Sequence, residues 1–366
     1  MRRRRFLELA AGAAAGAWLL DGAGHRLWAD EPSLQACFRP WDAKTQKISW
    51  PAKKPPYKIG LSNSYDGNTW RSEMLHIARS YAKRAHVKRY LADFHALSAG
   101  NDVSAQIAHI NQMVLAGMDA ILVDAASPSG LDGAIDKAVK SGVLVVSFDN
   151  TVTTPKSVTV NENQYEIGRR WAQFLVKQMH GEGTVLMVRG VRGTFVDDQR
   201  TEGGTDVFEQ HSGIKTVEVF GDWNNDTAQQ VTANAVAANG AFDGIWCQGG
   251  DVGVVRALDD AGLSIPPMAG EAENGFRKLA AQRHFPMLSI GQSPSLSAVA
   301  LAVAIELLRG HKVPQDIAIP LPAVGTDDLK AGVNYFPHLP DNFYTPIDMP
   351  ACGLSFDVHD ATGMAG

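Results

Sequence analysis

From Tyr57 onward, short apolar runs alternate with longer stretches in which apolar residues recur every third or fourth position. The first pattern suits a buried strand and the second an amphipathic helix. The alternation predicts strands at 57–62, 89–94, 120–123 and 143–148, with helices at 70–85, 103–116 and 130–141. It then restarts, with strands at 184–188, 216–220, 244–246, 267–269 and 287–290 and helices at 198–210, 227–239, 252–261 and 295–308. Strand, helix and strand in succession build a parallel sheet with helices on both faces. Two such sets predict an α/β protein of two doubly wound parallel-sheet lobes. A multi-strand hinge joins them, with crossings near 157–163, 292–295 and 320–323. The first lobe is expected to comprise 57–160 and 293–322, and the second 161–292. Residues 30–56 form an N-terminal extension, and 323–366 a Pro-rich tail of weak periodicity that wraps the lobes.

The start of the chain follows different rules. Four arginines at positions 2–5 precede a twelve-residue apolar run, 9–20. A membrane span needs about 20 residues, so the run is expected to be the core of an export signal cleaved near Ala29. Arg4-Arg5-Phe6-Leu7 resembles a twin-arginine signal, with an ordinary secretory signal as the other reading. The chain of 366 residues is 45% hydrophobic and 20% charged, which excludes collagen-like, coiled-coil and wholly disordered classes. Its net charge is −5; the first 29 residues hold five arginines and two acids, leaving −8 for the rest. An acidic chain of this kind lacks the basic face that a nucleic-acid partner requires.

Three cysteines allow at most one pair within the chain. Cys247 ends a predicted strand and reads as a small core residue. Cys37 and Cys352 lie in the flanking segments. Export places them in an oxidising compartment, where a Cys37–Cys352 bond is expected.

In open α/β sheets, ligands sit beyond the carboxyl ends of the strands. Candidate residues are therefore those that follow each strand: Asn68, Trp70 and Arg71 after the first, then Asp149 and Asn150 after 143–148. The second set supplies Arg200, Trp223, Gln248, Glu271 and Gln292, with Asp251 competing with Gln248 for one role. Amides, carboxylates and guanidinia present planar, often paired hydrogen-bonding groups to adjacent hydroxyls. Tryptophan offers a plate for the C–H face of a polyol. Trp70 and Trp223 are expected to face each other across the cleft from opposite lobes. Arg71 suits either a hydroxyl pair or a carboxylate. The chain has no cluster with metal-ligand spacing, no G-x-G-x-x-G after a strand, no G-x-S-x-G and no H-E-x-x-H. No catalytic residue, metal or cofactor is therefore expected.

Several of these segments resemble, in chain order, the periplasmic sugar-binding proteins of the ribose/galactose-binding class, which serve ABC importers. They are Gly67-Asn-Thr-Trp-Arg-Ser-Glu-Met74, Val146-Ser-Phe-Asp149, Arg200-Thr-Glu-Gly203, Asp222-Trp223, Trp246-Cys-Gln248, Gly270-Glu271 and Gly291-Gln-Ser-Pro294. The similarity runs from about Tyr57 to Leu321. Three positions depart from it: Arg71 replaces an aromatic, Asn150 an arginine and Glu271 an aspartate. The resemblance implies the type I periplasmic-binding fold and a monomer in the periplasm. It also implies a sugar or related polyol as ligand and a membrane permease of an ABC importer as partner. The alternatives are an exported enzyme acting on a carbohydrate and a sugar-sensing subunit for a membrane receptor.

Overall fold

The computed structural model describes residues 37–363; the expected export signal and its expected cleavage near Ala29 lie outside the described residues. In chain order the first set is β1 (Lys47–Ile48), β2 (Tyr57–Asn63), α1 (Thr69–Lys83), α2 (Ala85–Lys88), β3 (Leu91–Ser98), α3 (Val103–Leu115), β4 (Ala120–Asp124), α4 (Asp132–Lys140), β5 (Leu144–Phe148) and β6 (Val158–Asn161). The second is α5 (Gln164–Gln178), β7 (Glu182–Arg189), α6 (Phe195–Phe208), β8 (Gly213–Phe220), α7 (Asn225–Asn239), β9 (Gly244–Cys247), α8 (Asp251–Asp260), β10 (Met268–Glu271), α9 (Asn274–Arg283) and β11 (Met287–Ile290). Then come α10 (Leu296–Leu308), β12 (Val313–Pro314), β13 (Asp316–Ala318), β14 (Ala323–Gly325) and α11 (Val358–Thr362).

Two six-stranded sheets result. One has the order β13-β6-β5-β4-β2-β3 and is parallel throughout. The other has the order β14-β11-β10-β9-β7-β8 and is parallel except at β14. β1 and β12 pair separately and antiparallel. The central strands β4 and β5 are buried at every position, because helices cover both faces of a parallel sheet. In α10 every residue but Glu306 is buried; a helix apolar all round belongs in a core, and this one packs on α1, β4, β5 and β6. Among the described residues no helix is long and apolar enough to cross a membrane.

Several features differ from the pattern read in the sequence, and β1, α2, β12, β13 and α11 also went unread. The link at 157–163 contains a strand, β6, and is followed by α5; α9 also went unread. In α5 the buried stripe Ile167, Trp171, Ala172, Leu175 is interrupted by Gly168, Arg169 and Arg170. In α9 ten residues hold only a short stripe among three bases. Residues 323–325, assigned to the tail, form β14 at the edge of the second sheet; three residues are too few to show an alternation.

Two glycines set the position of α6. A Cβ on Gly168 would lie 1.9 Å from the Arg200 carbonyl oxygen, and one on Gly203 would lie 2.1 Å from that of Tyr165. The α5 and α6 backbones therefore touch, and Arg200 is held at the contact.

The chain passes between the sheets after β6, between β11 and α10, and between β13 and β14. The tail adds a fourth passage. It docks first on α9, where the Asn274 amide donates to the carbonyls of Phe336, Leu339 and Pro340 and Arg277 donates to that of Asn334. It then reaches α1, where the Tyr344 N–H donates to the Glu73 carboxyl at 3.1 Å and α11 packs on the helix. Cys37 and Cys352 form the expected disulfide, 315 residues apart in sequence, with Cα atoms 4.5 Å apart. Cys247 is buried and free.

Candidate functional site

The carboxyl ends of β5, β9, β10 and β11 meet at one inner cavity of about 30 Å³. Asn68, Trp70, Arg71 and Asp149 reach it from the first sheet's lobe; Arg200, Trp223, Gln248 and Glu271 reach it from the second; Gln292 reaches it from a crossing. Nine of the ten expected residues thus share one wall system. Asn150 stands outside it. Its side chain donates to Asp149 and accepts from the Val196 N–H at 3.0 Å, so it ties the end of β5 to the start of α6 instead.

Helix α1 begins at the cavity. Asn68 caps it by accepting from the Arg71 N–H, a role that occupies its oxygen and leaves its amide to reach the Trp223 carbonyl. Trp70 is fixed by its indole N–H, which donates to the Gln292 carbonyl at 3.0 Å. Trp70 and Trp223 come from opposite lobes and border the same cavity. The Arg71 guanidinium lies 5.1 Å from one ring centroid and 5.9 Å from the other.

The presenting loops are strained. Asp149 has φ 55°, and Asp222 and Trp223 both have φ 53°. Non-glycine residues adopt this left-handed region at a cost of about 1–3 kcal/mol each, typically at functional sites.

A continuous hydrogen-bonded chain spans the cleft. Glu271 accepts from Arg200, whose remaining nitrogens donate to Gln164 at 2.8 Å and to Gln292 at 2.6 Å. Gln292 donates to Asp149. Asp149 pairs with Arg71 at 2.8 Å, and Arg71 also pairs with Asp124. Burial pushes the Glu271 carboxyl up while Arg200 pulls it back. Burial likewise pushes the Arg71 guanidinium down, against the pull of Asp149. The two guanidinia face three carboxylates, so their charge is already met. The Gln248 Oε1 and Glu271 Oε2 atoms find no partner among the described residues. They are therefore free to accept from hydroxyl groups.

Gln248 and Asp251, which compete for one role in the sequence, take different positions. Gln248 borders the cavity, held through its amide by Asp197 and Thr201. Asp251 is buried away from it, and burial raises its carboxyl well above the usual range.

Three contributors went unread. Asp124 ends β4 and satisfies the strand-end rule that located Asp149. Val196 carries no polar signal. Tyr344 comes from the tail, where no periodicity marks it.

Outside the inner cavity lies a polar mouth of about 480 Å³, bordered by Asp66, Arg256 and Asp341 among others. Asn68, Trp223 and Tyr344 border both spaces and so form the partition between them. Cross-lobe hydrogen bonds from Tyr65 to the Asp222 carbonyl and from Asn224 to the Gly67 carbonyl close the rim. Trp223→Ala removes both the plate and the partition. We expect ligand dissociation constants to rise about thirtyfold, the effect of losing a buried aromatic anchor worth about 2 kcal/mol, with Trp223→Phe retaining most of the affinity. Isothermal titration checks this; an unchanged constant in the alanine variant would remove Trp223 from the site.

A family model described as periplasmic binding protein domain matches residues 59–312. Among curated proteins, a xylitol-binding protein from Mycolicibacterium smegmatis is 25% identical over 76% of this chain and 80% of its own. A ribose import binding protein from Bacillus subtilis is 24% identical over 75% of this chain and 89% of its own. Among solved structures, an ABC transporter solute binding protein from Thermobispora bispora is similar, with a TM-score of 0.69 and 26% identity over 73% of this chain and 84% of that one. The chain belongs to the periplasmic binding protein domain family.

Proposed function

We propose that this member of the periplasmic binding protein domain family captures a neutral monosaccharide or polyol between its lobes and delivers it, chemically unchanged, to the permease of an ABC importer. The observation that carries the reading is the inner cavity, where two tryptophans flank a chain of amides, carboxylates and guanidinia in which every guanidinium is already paired with a carboxylate. Such groups exchange their mutual hydrogen bonds for those of hydroxyls at little electrostatic cost. A ligand carboxylate would instead meet three carboxylates against two guanidinia. That balance favours the hydroxyl-pair role for Arg71. The names of the xylitol- and ribose-binding relatives support the same class.

A ligand held by both lobes favours the closed arrangement over the open one, and closure brings the rims together for the transporter. In this reading residues 1–29 direct export to the periplasm, and the protein acts there as a monomer.

The test is a thermal-shift and calorimetric panel of xylitol, ribose, allose and inositol against xylonate and glucuronate. A neutral ligand at 100 times its dissociation constant should add about 2.7 kcal/mol of apparent stability, and the acids should add none. Preferential binding of the acids would overturn the charge argument. Mass spectrometry of ligand incubated with equimolar protein should return it unaltered; conversion to a product would replace the carrier with an enzyme.

A further inference from the structure

Behind the crossings lies a separate cavity of about 680 Å³. One wall is made by crossing residues Glu162, Gly291, Ser293 and 319–322, and the other by tail residues between 333 and 358. The crossing at 291–293 runs between the two cavities. Gln292 borders the inner cavity while Gly291 and Ser293 border this one. The two spaces share no lining residue and meet across that segment.

The lining is mostly apolar and includes Phe336, Leu339, Phe343, Ile347 and Phe356. Its charged members are Glu162, Asp348 and Asp357, and no base borders it among the described residues. Asp348 is committed to the Phe356 N–H, and Asp357 to the Asp360 N–H as the cap of α11. Glu162 is different. It is only 1% exposed, and its Oε2 finds no hydrogen-bond partner among the described residues. A buried polar atom without a partner is costly and rare. An apolar cavity of several hundred Å³ with one convergent polar group is the usual form of a small-molecule site.

We propose that this cavity binds a small apolar molecule bearing one primary amine, its hydrocarbon body against the tail and its ammonium donating to Glu162. The charged members of the lining are all acidic, which selects a cation over an anion. Burial, chiefly, holds the Glu162 carboxyl at about 8. When the ammonium arrives, the carboxyl releases its proton to solvent and the ammonium takes over as donor. The proposal does not rest on the polyol reading and each can fail without the other, although Glu162 feels the charges of Asp149, Arg200 and Glu271 in the inner cavity.

The experiment titrates the full exported chain with phenethylamine, 2-phenylethanol and phenylacetate by calorimetry and ligand-observed NMR. Phenethylamine should bind saturably at one site, and phenylacetate should not. Glu162→Gln should weaken the amine at least tenfold while leaving the alcohol unchanged. Val333 is 69% exposed at the cavity's edge, so Val333→Trp fills the mouth without disturbing the core and should abolish binding of the amine. Absence of saturable amine binding, equal binding of amine and acid, or amine binding unchanged by Val333→Trp would each overturn the proposal. Polyol titration of the same samples reads the inner cavity separately.

Discussion

Arg200→Met is expected to weaken polyol binding by at least a thousandfold and to destabilise the fold by about 3–5 kcal/mol, the usual cost of breaking a buried pair from one side. Methionine keeps an unbranched apolar stem but lacks the guanidinium, and so makes none of its hydrogen bonds to Gln164, Glu271 and Gln292. Three acceptors from a helix, a strand end and a crossing lose their common donor at once. Glu271 is then buried without the guanidinium that pulls its carboxyl down, so its already raised value climbs further. A carboxyl raised above its unfolded value stabilises the fold below the unfolded value and loses that contribution as pH rises through the folded one. The stability deficit of the variant should therefore be larger at pH 8 than at pH 5. Urea titrations at both pH values, with calorimetry for binding, measure both effects. A dissociation constant within threefold of the parent would show that Arg200 is no part of the binding machinery. Arg200→Lys restores charge without the planar fork and should fall between the two.

Replacing Cys37 and Cys352 together by serine should lower stability by roughly 2–5 kcal/mol, against a loop-entropy ceiling of about 5–6 kcal/mol for so long a loop. The bond joins residues 315 apart, and both sulfurs lie in the core of the first lobe with Tyr344, Phe356 and Ala361. Without it, the last ordered anchor of the tail is α11, a five-residue helix, which is too short to hold itself. The melting temperature should fall by about 3–7 °C, and limited proteolysis should cut between β14 and α11. Equal melting temperatures and digestion patterns in parent and variant would show that the tail is held by packing alone.

The strand-end rule picked out Trp70, Asp149, Gln248 and Glu271, which border one cavity, because buried parallel strands leave a sharp boundary between apolar run and polar loop. The same boundary at Val123–Asp124 was available and points to the partner of Arg71. Without it, Arg71 could be read as a ligand for a carboxylate, since nothing local tells that two acids far along the chain meet its charge. Tyr344 had no such marker. It reaches the cavity through the tail's hydrogen bonds to Asn274 and Glu73, contacts between segments remote in sequence. Helix α5 was obscured by Gly168, the residue that lets it touch α6 and position Arg200. The disulfide was legible because parity and compartment leave few pairings, a kind of information independent of periodicity.

Three passages of chain side by side behave as a fabric hinge: they bend readily, and they also let one lobe twist against the other. The tail is a fourth passage whose far end is fastened covalently, and a fastened strap resists torsion more than it resists bending. The lobes of this protein should therefore swing as a door on a fixed axis, with rotation about the long axis suppressed. Each closure then presents the two rims at the same mutual angle. A partner docking on both rims would meet a surface of one shape, and the orientational search that slows protein association would be correspondingly short.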